Sequence, residues 1–463
     1  MSKIETINPS TGKVIASYEN ASPEDVSNKV RAARAAFAGW KKRDLSERAE
    51  YMRRLGRVMR KNREEYARVV TEEMGKPVRQ SLAEIEKCAW VCDYYADHAE
   101  VFLHDELIPT EFRRSFVSFE PLGVVASIMP WNFPFWQVMR FAVPALTAGN
   151  VGVLKHSSVC LGSALKIEEA FVDAGFPENV FQCVIGDYRA GEALVQANID
   201  AVSVTGSVST GRRVAELASQ DLKKFVLELG GSDPFIVLED AELNETAHMA
   251  TQSRLLNTGQ SCIAAKRFIV MREVADKFTK LFVENTVSEV VGDPLDPKTT
   301  VGPLVRDNQR QALAKQVNDA KEKGGKILTG GRPLAGNGFF YEPTIISEVN
   351  HEMDVLKEEV FGPAAPIVVV DSEEEAIREA NNSEFGLGAS LWTNNIDRGI
   401  RLARQIESGI VSVNEMVRSD PRLPFGGIKK SGIGRELSEF GIKEFVNVKS
   451  IVVKDITSRL LVE

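Results

Sequence analysis

Ala201-Val-Ser-Val-Thr-Gly206-Ser207-Val-Ser-Thr-Gly211 is a short β-branched run that turns through glycine into a segment of helical period, 209–220. Lys224-Phe-Val-Leu-Glu228-Leu229-Gly230-Gly231 follows as a second apolar run, ended by an acid and two glycines. Strand, helix and strand in so short a span make one unit of a parallel sheet covered by helices. The rhythm extends both ways. Upstream, 123–129, 151–155 and 180–184 read as buried strands, with a helix over 160–175 between the last two. Downstream, 234–238, 266–271, 365–370, 387–392 and 410–413 are strands, with helices near 242–257, 273–291 and 305–321. The pattern predicts an α/β protein of two lobes, divided near residue 230. The first hundred residues read as helical packing, with Ser22-Pro23 as a helix start and Gly75 as a helix stop. Residues 113–119 read as a strand.

Composition excludes several classes. The 463 residues are 43% hydrophobic and 26% charged, ordinary globular proportions. Lys and Arg number 57 against 65 Asp and Glu, a net charge of −8 with the basic residues scattered, which argues against a nucleic-acid or anionic-membrane partner. No apolar run approaches the roughly 20 residues of a membrane span, and the polar start lacks a secretory core. Five cysteines, Cys88, Cys92, Cys160, Cys183 and Cys262, are too sparse for a disulfide framework and point to the reducing cytoplasm. Cys88 and Cys92 stand four apart on a helix without a second ligand pair, so they read as packed thiols, not as a metal site.

Four places break the packing rhythm. Gly206-Ser207 and Gly211 open a helix whose free amides suit a phosphate, although any tight βα turn looks similar and Gly-x-Gly-x-x-Gly is absent. Thr258-Gly259-Gln260-Ser261-Cys262 presents a thiol on a polar turn, as a nucleophile requires, whereas lone cysteines are commonly inert core. Glu228 closes a strand at the sheet edge where α/β proteins place their sites; burial there would raise its pKa and suit a general base. Met129-Pro130-Trp131-Asn132-Phe133-Pro134-Phe135-Trp136 surrounds one amide with aromatics, a wall beside a ligand or a core corner, and Asn132 can donate to an oxyanion.

Together these segments resemble the aldehyde dehydrogenase superfamily over nearly the whole chain. Pro130-Trp-Asn-Phe-Pro134, Thr205-Gly-Ser207, Glu228-Leu-Gly-Gly231, Gly259-Gln-x-Cys262, Glu359-x-Phe-Gly-Pro363 and Pro424-Phe-Gly-Gly427 occur in the family's order. The resemblance implies two doubly wound α/β lobes and a small β arm for oligomerisation. The NAD(P)-binding domain would take 1–110 and 123–233, the catalytic domain 234–428, and the arm 111–122 with 429–463. It implies that Cys262 attacks the aldehyde, that Asn132 and the Cys262 amide hold the oxyanion, and that Glu228 activates the water releasing a free acid. Branches that pass the acyl group to coenzyme A commonly lack this base. No metal is called for.

The cofactor residues implied are Trp131, Lys155, Ser158, Gly206, Ser207, Gly211, Leu229, Glu359 and Phe361. Where the family often reads Lys-Pro-x-Glu, this chain has Lys155-His156-Ser157-Ser158. Ser158 removes the negative charge that would repel a 2′-phosphate, so NADP is the expected cofactor, with NAD also admitted.

Arg140, Trp136, Ser419 and Phe425 resemble the substrate residues of the bacterial and archaeal branch that oxidises succinate semialdehyde, in which an arginine and a serine receive the distal carboxylate. The alternatives are a broad-range enzyme for lactaldehyde, glutarate semialdehyde or other short aldehydes, and a structural relative without activity. A second cysteine two residues from the nucleophile, the redox switch of some relatives, is Ala264 here. Phe116–Phe119 and Phe445–Val453 read as edge strands that would join subunits into a homodimer or homotetramer.

Overall fold

The structure, a computed structural model, describes residues 3–454. Its first twenty residues overturn the all-helical reading of the N-terminal block. β1 (Lys3–Asn8) and β2 (Lys13–Glu19) form an antiparallel hairpin. The turn chemistry lies in Asn8-Pro-Ser-Thr-Gly12, where Gly12 takes φ 69° and donates its amide to the Asn8 carbonyl at 2.8 Å. Helices follow as expected. α1 (Pro23–Trp40) starts with a Ser22/Asp25 capping box. α2 (Leu45–Lys61) and α3 (Arg63–Met74) precede Gly75, left-handed at φ 80°, and α4 (Val78–Leu103) buries Cys88 and Cys92.

After β3 (Glu106–Leu107) and β4 (Arg114–Pro121) the chain enters its first parallel sheet. The order along the chain is β5 (Val124–Met129), α5 (Trp136–Thr147), β6 (Val151–His156), α6 (Leu161–Asp173), β7 (Phe181–Val184), α7 (Tyr188–Gln196), β8 (Ala201–Thr205), α8 (Val208–Gln220) and β9 (Lys224–Glu228). In space the order is β7-β6-β5-β8-β9. Successive connections leave β5 in opposite directions, so a crevice opens above the carboxyl ends of β5 and β8. β6 and β8 are buried at every position, the near-continuous apolar run of a sheet covered on both faces.

The second sheet begins with β10 (Asp233–Val237), so Asp233 belongs to it and not to the first lobe. α9 (Leu243–Leu255), β11 (Ala265–Met271), α10 (Arg272–Ser288) and α11 (Asp307–Glu322) follow. Two strands the sequence reading lacks come next, β12 (Lys326–Thr329) and β13 (Thr344–Ser347). Then come α12 (Asp354–Lys357), β14 (Ala364–Val370), α13 (Glu373–Asn381), β15 (Phe385–Gly386), β16 (Gly388–Trp392), α14 (Ile396–Ala403) and β17 (Ile410–Val413). The order is β12-β13-β14-β11-β10-β16-β17, parallel except for β12.

The last segment returns to earlier parts. β18 (Ile428–Lys429) pairs with β15, and β19 (Gly432–Ile433) adds an antiparallel edge to β9. After α15 (Ser438–Lys443), β20 (Val446–Val453) lies antiparallel to β4 over eight residue pairs, with β3 on the other side of β4. β20, β4 and β3 thus form a three-stranded sheet that includes Glu106–Leu107, while Gly432–Ile433 pairs with the first sheet. Residues 455–463 of the expected arm lie outside the described residues. Among the described residues, no helix is long and apolar enough to cross a membrane.

Candidate active site

Four loops leave the carboxyl edge of the first sheet: Pro130–Phe135 after β5, Ser157–Cys160 after β6, Gly206-Ser207 after β8 and Leu229–Ser232 after β9. The thiol comes from the second lobe. Between α9 and β11 the chain makes a single tight turn, Leu256–Gly259, in which Asn257 (φ 54°), Thr258 (φ 57°) and Gly259 (φ 74°) are all left-handed. Such backbone costs on the order of 1–3 kcal/mol per non-glycine residue and persists only where surroundings enforce it. Here they do. Arg254 Nη2 donates to the Gly259 carbonyl at 2.7 Å, the Gln260 side chain accepts from the Val305 amide at 2.9 Å, and Asn257 Nδ2 donates to the Asn132 carbonyl at 2.7 Å. A Cβ on Gly259 would collide with the Gly362 carbonyl, so the thiol loop is seated directly against the Glu359–Pro363 loop.

Cys262 is half-buried at the end of this turn, its Sγ 3.8 Å from Glu228 Oε2. Burial and the neighbouring Glu228 carboxylate hold the thiol well above the ordinary cysteine pKa. Glu228 is itself pushed up to about 7, chiefly by burial, with Arg140 opposing and Glu436 reinforcing the shift. A carboxylate poised near neutrality, in contact with the thiol, has the proton affinity of a general base. Its Oε1 is buried without a hydrogen-bond partner in the structure. The oxygen is open to hold a proton donor such as water.

Asn132 lies on the other side of the thiol loop, with Nδ2 donating to the Gln260 carbonyl at 3.1 Å. One amide hydrogen remains for an oxyanion. The loop that carries it is locked from below. Glu84 accepts the amides of Phe135 and Trp136 at 2.9 and 3.0 Å, capping α5, and is ion-paired with Lys76, whose ammonium lies 3.8 Å from the Phe133 ring centroid. His156 fixes the same loop. Its Nδ1 accepts from the Ser157 amide and its Nε2 donates to the Pro134 carbonyl at 2.9 Å, and burial lowers its pKa to about 4, so the ring stays neutral. The histidine that departs from the Lys-Pro pattern therefore braces the oxyanion loop.

A nucleophile with a base in contact with it and an amide donor bonded to its own loop perform acyl chemistry on a carbonyl carbon. The profile of the aldehyde dehydrogenase family matches residues 1–451. The chain belongs to that family. It is 45% identical over 449 residues, 97% of this chain and 99% of the other, to a protein of Synechocystis sp. named probable succinate-semialdehyde dehydrogenase (NADP(+)). It is 42% identical over 447 residues, 96% of this chain and 97% of the other, to the Escherichia coli succinate semialdehyde dehydrogenase (NAD(P)+) Sad. Among solved structures, the succinic semialdehyde dehydrogenase of Streptococcus pyogenes in complex with NADP+ superposes with a TM-score of 0.95 at 36% identity, covering 98% of this chain and all of that one.

In this aldehyde dehydrogenase the residues expected to hold the cofactor come from loops of both sheets. Lys155 is the penultimate residue of β6, Ser158 follows the strand, and Ser207 is the N-cap of α8, its hydroxyl accepting from the Thr210 amide at 3.2 Å. Leu229 packs against Gly211, where a Cβ would meet it at 2.5 Å. Glu359 accepts from the Gly231 amide at 3.1 Å and lies 3.4 Å from Lys266, and the Trp131 and Phe361 rings meet edge-on at 5.6 Å. One residue was not legible beforehand. Arg306, in the loop before α11, reaches Ser158 Oγ at 3.4 Å.

The residues expected to meet the substrate line a cavity of about 680 Å³ that Cys262 also lines, with Phe133, Trp136, Met249 and Phe425 among its walls. Trp136 Nε1 donates to Ser419 Oγ at 3.0 Å. Arg140 lines the same cavity. Expected to receive the substrate's carboxylate, it is fully buried between two carboxylates of the protein, 3.1 Å from Glu228 and 2.6 Å from Glu436, with its guanidinium 4.7 Å from the Phe425 ring centroid. Removing one partner of a buried charge group costs about 3–5 kcal/mol, so Arg140 holds Glu228 in place first. Glu436 escaped the sequence reading because it lies far along the chain, beyond the last motif. Lys87 escaped because α4 read as packing, although Ala83, Lys87 and Trp90 share one helical face and all line the cavity.

Proposed function

We propose that the chain oxidises succinate semialdehyde to free succinate with NADP(+), through a thioester on Cys262. The observation that carries the reading is the lining of the cavity, where Lys87, Arg140, Arg418 and Ser419 supply positive charge and donors among its aromatic walls. The names of the relatives agree with it.

Cys262 attacks the aldehyde carbon as its thiolate, the thiol proton having passed to solvent. Asn132 and the Cys262 amide stabilise the oxyanion that forms. NADP(+), when bound, supplies the hydride acceptor. Departure of hydride leaves the acyl group on sulfur, and Glu228 then takes a proton from the water that hydrolyses it. Lys155, Ser158 and Arg306 fit a 2′-phosphate. Lys155 has no ion-pair partner among the described residues, no carboxylate stands at position 158, and burial holds Lys155 down at about 8, a group that gains by meeting an anion. Glu359, folded against Gly230 and Gly231, would hold the nicotinamide ribose.

Five free thiols in the structure support a reducing cytoplasm as the working compartment. A homodimer, or a tetramer of two dimers, is supported by β20, an edge strand with Val448 61% and Val452 54% exposed. The aromatic walls favour a second reading, a broader enzyme for short neutral aldehydes.

A two-by-two steady-state assay, succinate semialdehyde or butanal with NADP or NAD, separates the two. The reading expects succinate semialdehyde with NADP to lead in kcat/KM by more than about tenfold, or 1.4 kcal/mol. Equal kcat/KM for the two aldehydes would reject it in favour of the broad-range enzyme. Ser158→Glu places a carboxylate beside the 2′-position and is expected to reverse the cofactor preference toward NAD. Unchanged selectivity would remove Ser158 from the phosphate site.

A further inference from the structure

Three cations line the substrate cavity, and their commitments differ. Arg140 is held between Glu228 and Glu436. Arg418 lies 3.3 Å from Glu415 and its side chain is 61% exposed. Lys87 has no carboxylate within salt-bridge distance among the described residues. Its ammonium sits 4.3 Å from the Trp136 ring centroid and donates to Ser419 Oγ at 2.7 Å. The same hydroxyl oxygen accepts from Trp136 Nε1 at 3.0 Å. With both acceptor directions of Ser419 occupied, its hydrogen is left to donate elsewhere. Lys87 likewise keeps two hydrogens beyond the one given to Ser419. A desolvated ammonium over an aromatic face and a hydroxyl forced to donate form a receptor for one carboxylate at the end of a short chain.

We propose that Lys87, together with the Ser419 hydroxyl, receives the far carboxylate of the aldehyde substrate and is the residue that selects carboxylated over neutral aldehydes. This rests on the substrate reading above and adds a cation from α4 to its anion site. Arg140, paired with Glu228 and Glu436, also positions Glu228.

The assignment has a pH signature. Burial, with Arg140 on α5, pushes Lys87 down to about 8, while Glu84 and Cys88 on its own helix and Asp420 in the facing loop pull the other way. Lys87 binds a carboxylate only when protonated, so selectivity is full below about pH 8 and lost as pH rises through it. Cys262 and Glu228 titrate identically for both aldehydes and cancel in the ratio of kcat/KM for succinate semialdehyde to that for butanal.

The test measures that ratio from pH 6.5 to 9.5 in the full-length enzyme, Lys87→Met and Lys87→Arg (pH range of about three units chosen to span the Lys87 titration). The expected result is a roughly 10- to 100-fold drop of the ratio in Lys87→Met, through KM rather than kcat. Lys87→Arg should retain most of the ratio and lose its decline near pH 8. A Lys87→Met enzyme that keeps the wild-type ratio overturns the proposal and returns the anion site to Arg140 or Arg418. A parallel fall for both aldehydes assigns Lys87 to structure alone and overturns it equally. If Lys87→Met does not fold, a Lys87→Arg profile that still declines near pH 8 overturns it. A wild-type ratio near one overturns the substrate reading, and this proposal with it.

Discussion

Cys262→Ala lowers oxidation of succinate semialdehyde by at least about 10⁴-fold, some 5.5 kcal/mol of transition-state stabilisation, while the Kd for NADP stays within about threefold of the wild type. The argument is structural as well as chemical. Cys262 is the one half-buried cysteine of the five; Cys88, Cys92, Cys160 and Cys183 are all buried. None of those four can take over the attack. The turn before Cys262 is held by Arg254, Gln260 and Asn257, none of which bonds the thiol, so its removal leaves the loop in place. Activity within tenfold of wild type would contradict the assignment of the nucleophile.

Glu228→Gln has the second largest effect, and a different form. Steady-state turnover falls by about 10²- to 10⁴-fold, the range for loss of a general base. The first turnover still releases close to one equivalent of NADPH per active site, because hydrolysis is the step most dependent on the base. Arg140 keeps Glu436 as its counter-ion in this variant, so no buried charge is left unpaired. The same residue sets the pH dependence. With its pKa raised to about 7, Glu228 is a base only above that value, so wild-type kcat rises as pH increases through about 7 and falls away on the acid side. Glu228→Gln abolishes that limb. A stopped-flow trace without a burst would move Glu228 to an earlier step.

The two sheets were legible because buried parallel strands are short continuous apolar runs. Val151–His156 and Ala201–Thr205 carry that pattern undiluted. Strands with one wet face were not. Lys13–Glu19 and Lys326–Thr329 are largely exposed or half-exposed, so composition does not separate them from loops or helix ends. The site divides along the same line. Asn132, Glu228, Cys262 and Glu359 stand in motifs that break the packing rhythm, and the fold seats the other three on the loops around Cys262. Lys87, Glu436 and Arg306 stand in segments that look ordinary, and they matter only because distant segments meet. Arg140 was legible as a cation of the cavity, but its pairing with Glu228 and Glu436 was not, because Glu436 lies far along the chain.

The central claim is that a carboxylated aldehyde becomes a thioester on Cys262 that Glu228 is needed to hydrolyse. The direct measurement is peptide mass spectrometry of Glu228→Gln, quenched in acid after mixing with succinate semialdehyde and NADP. The account predicts a succinyl group on the Cys262 peptide, dependent on NADP and absent when butanal replaces the semialdehyde. An unmodified Cys262 accompanied by stoichiometric NADPH, or a succinyl group on another residue, would contradict it.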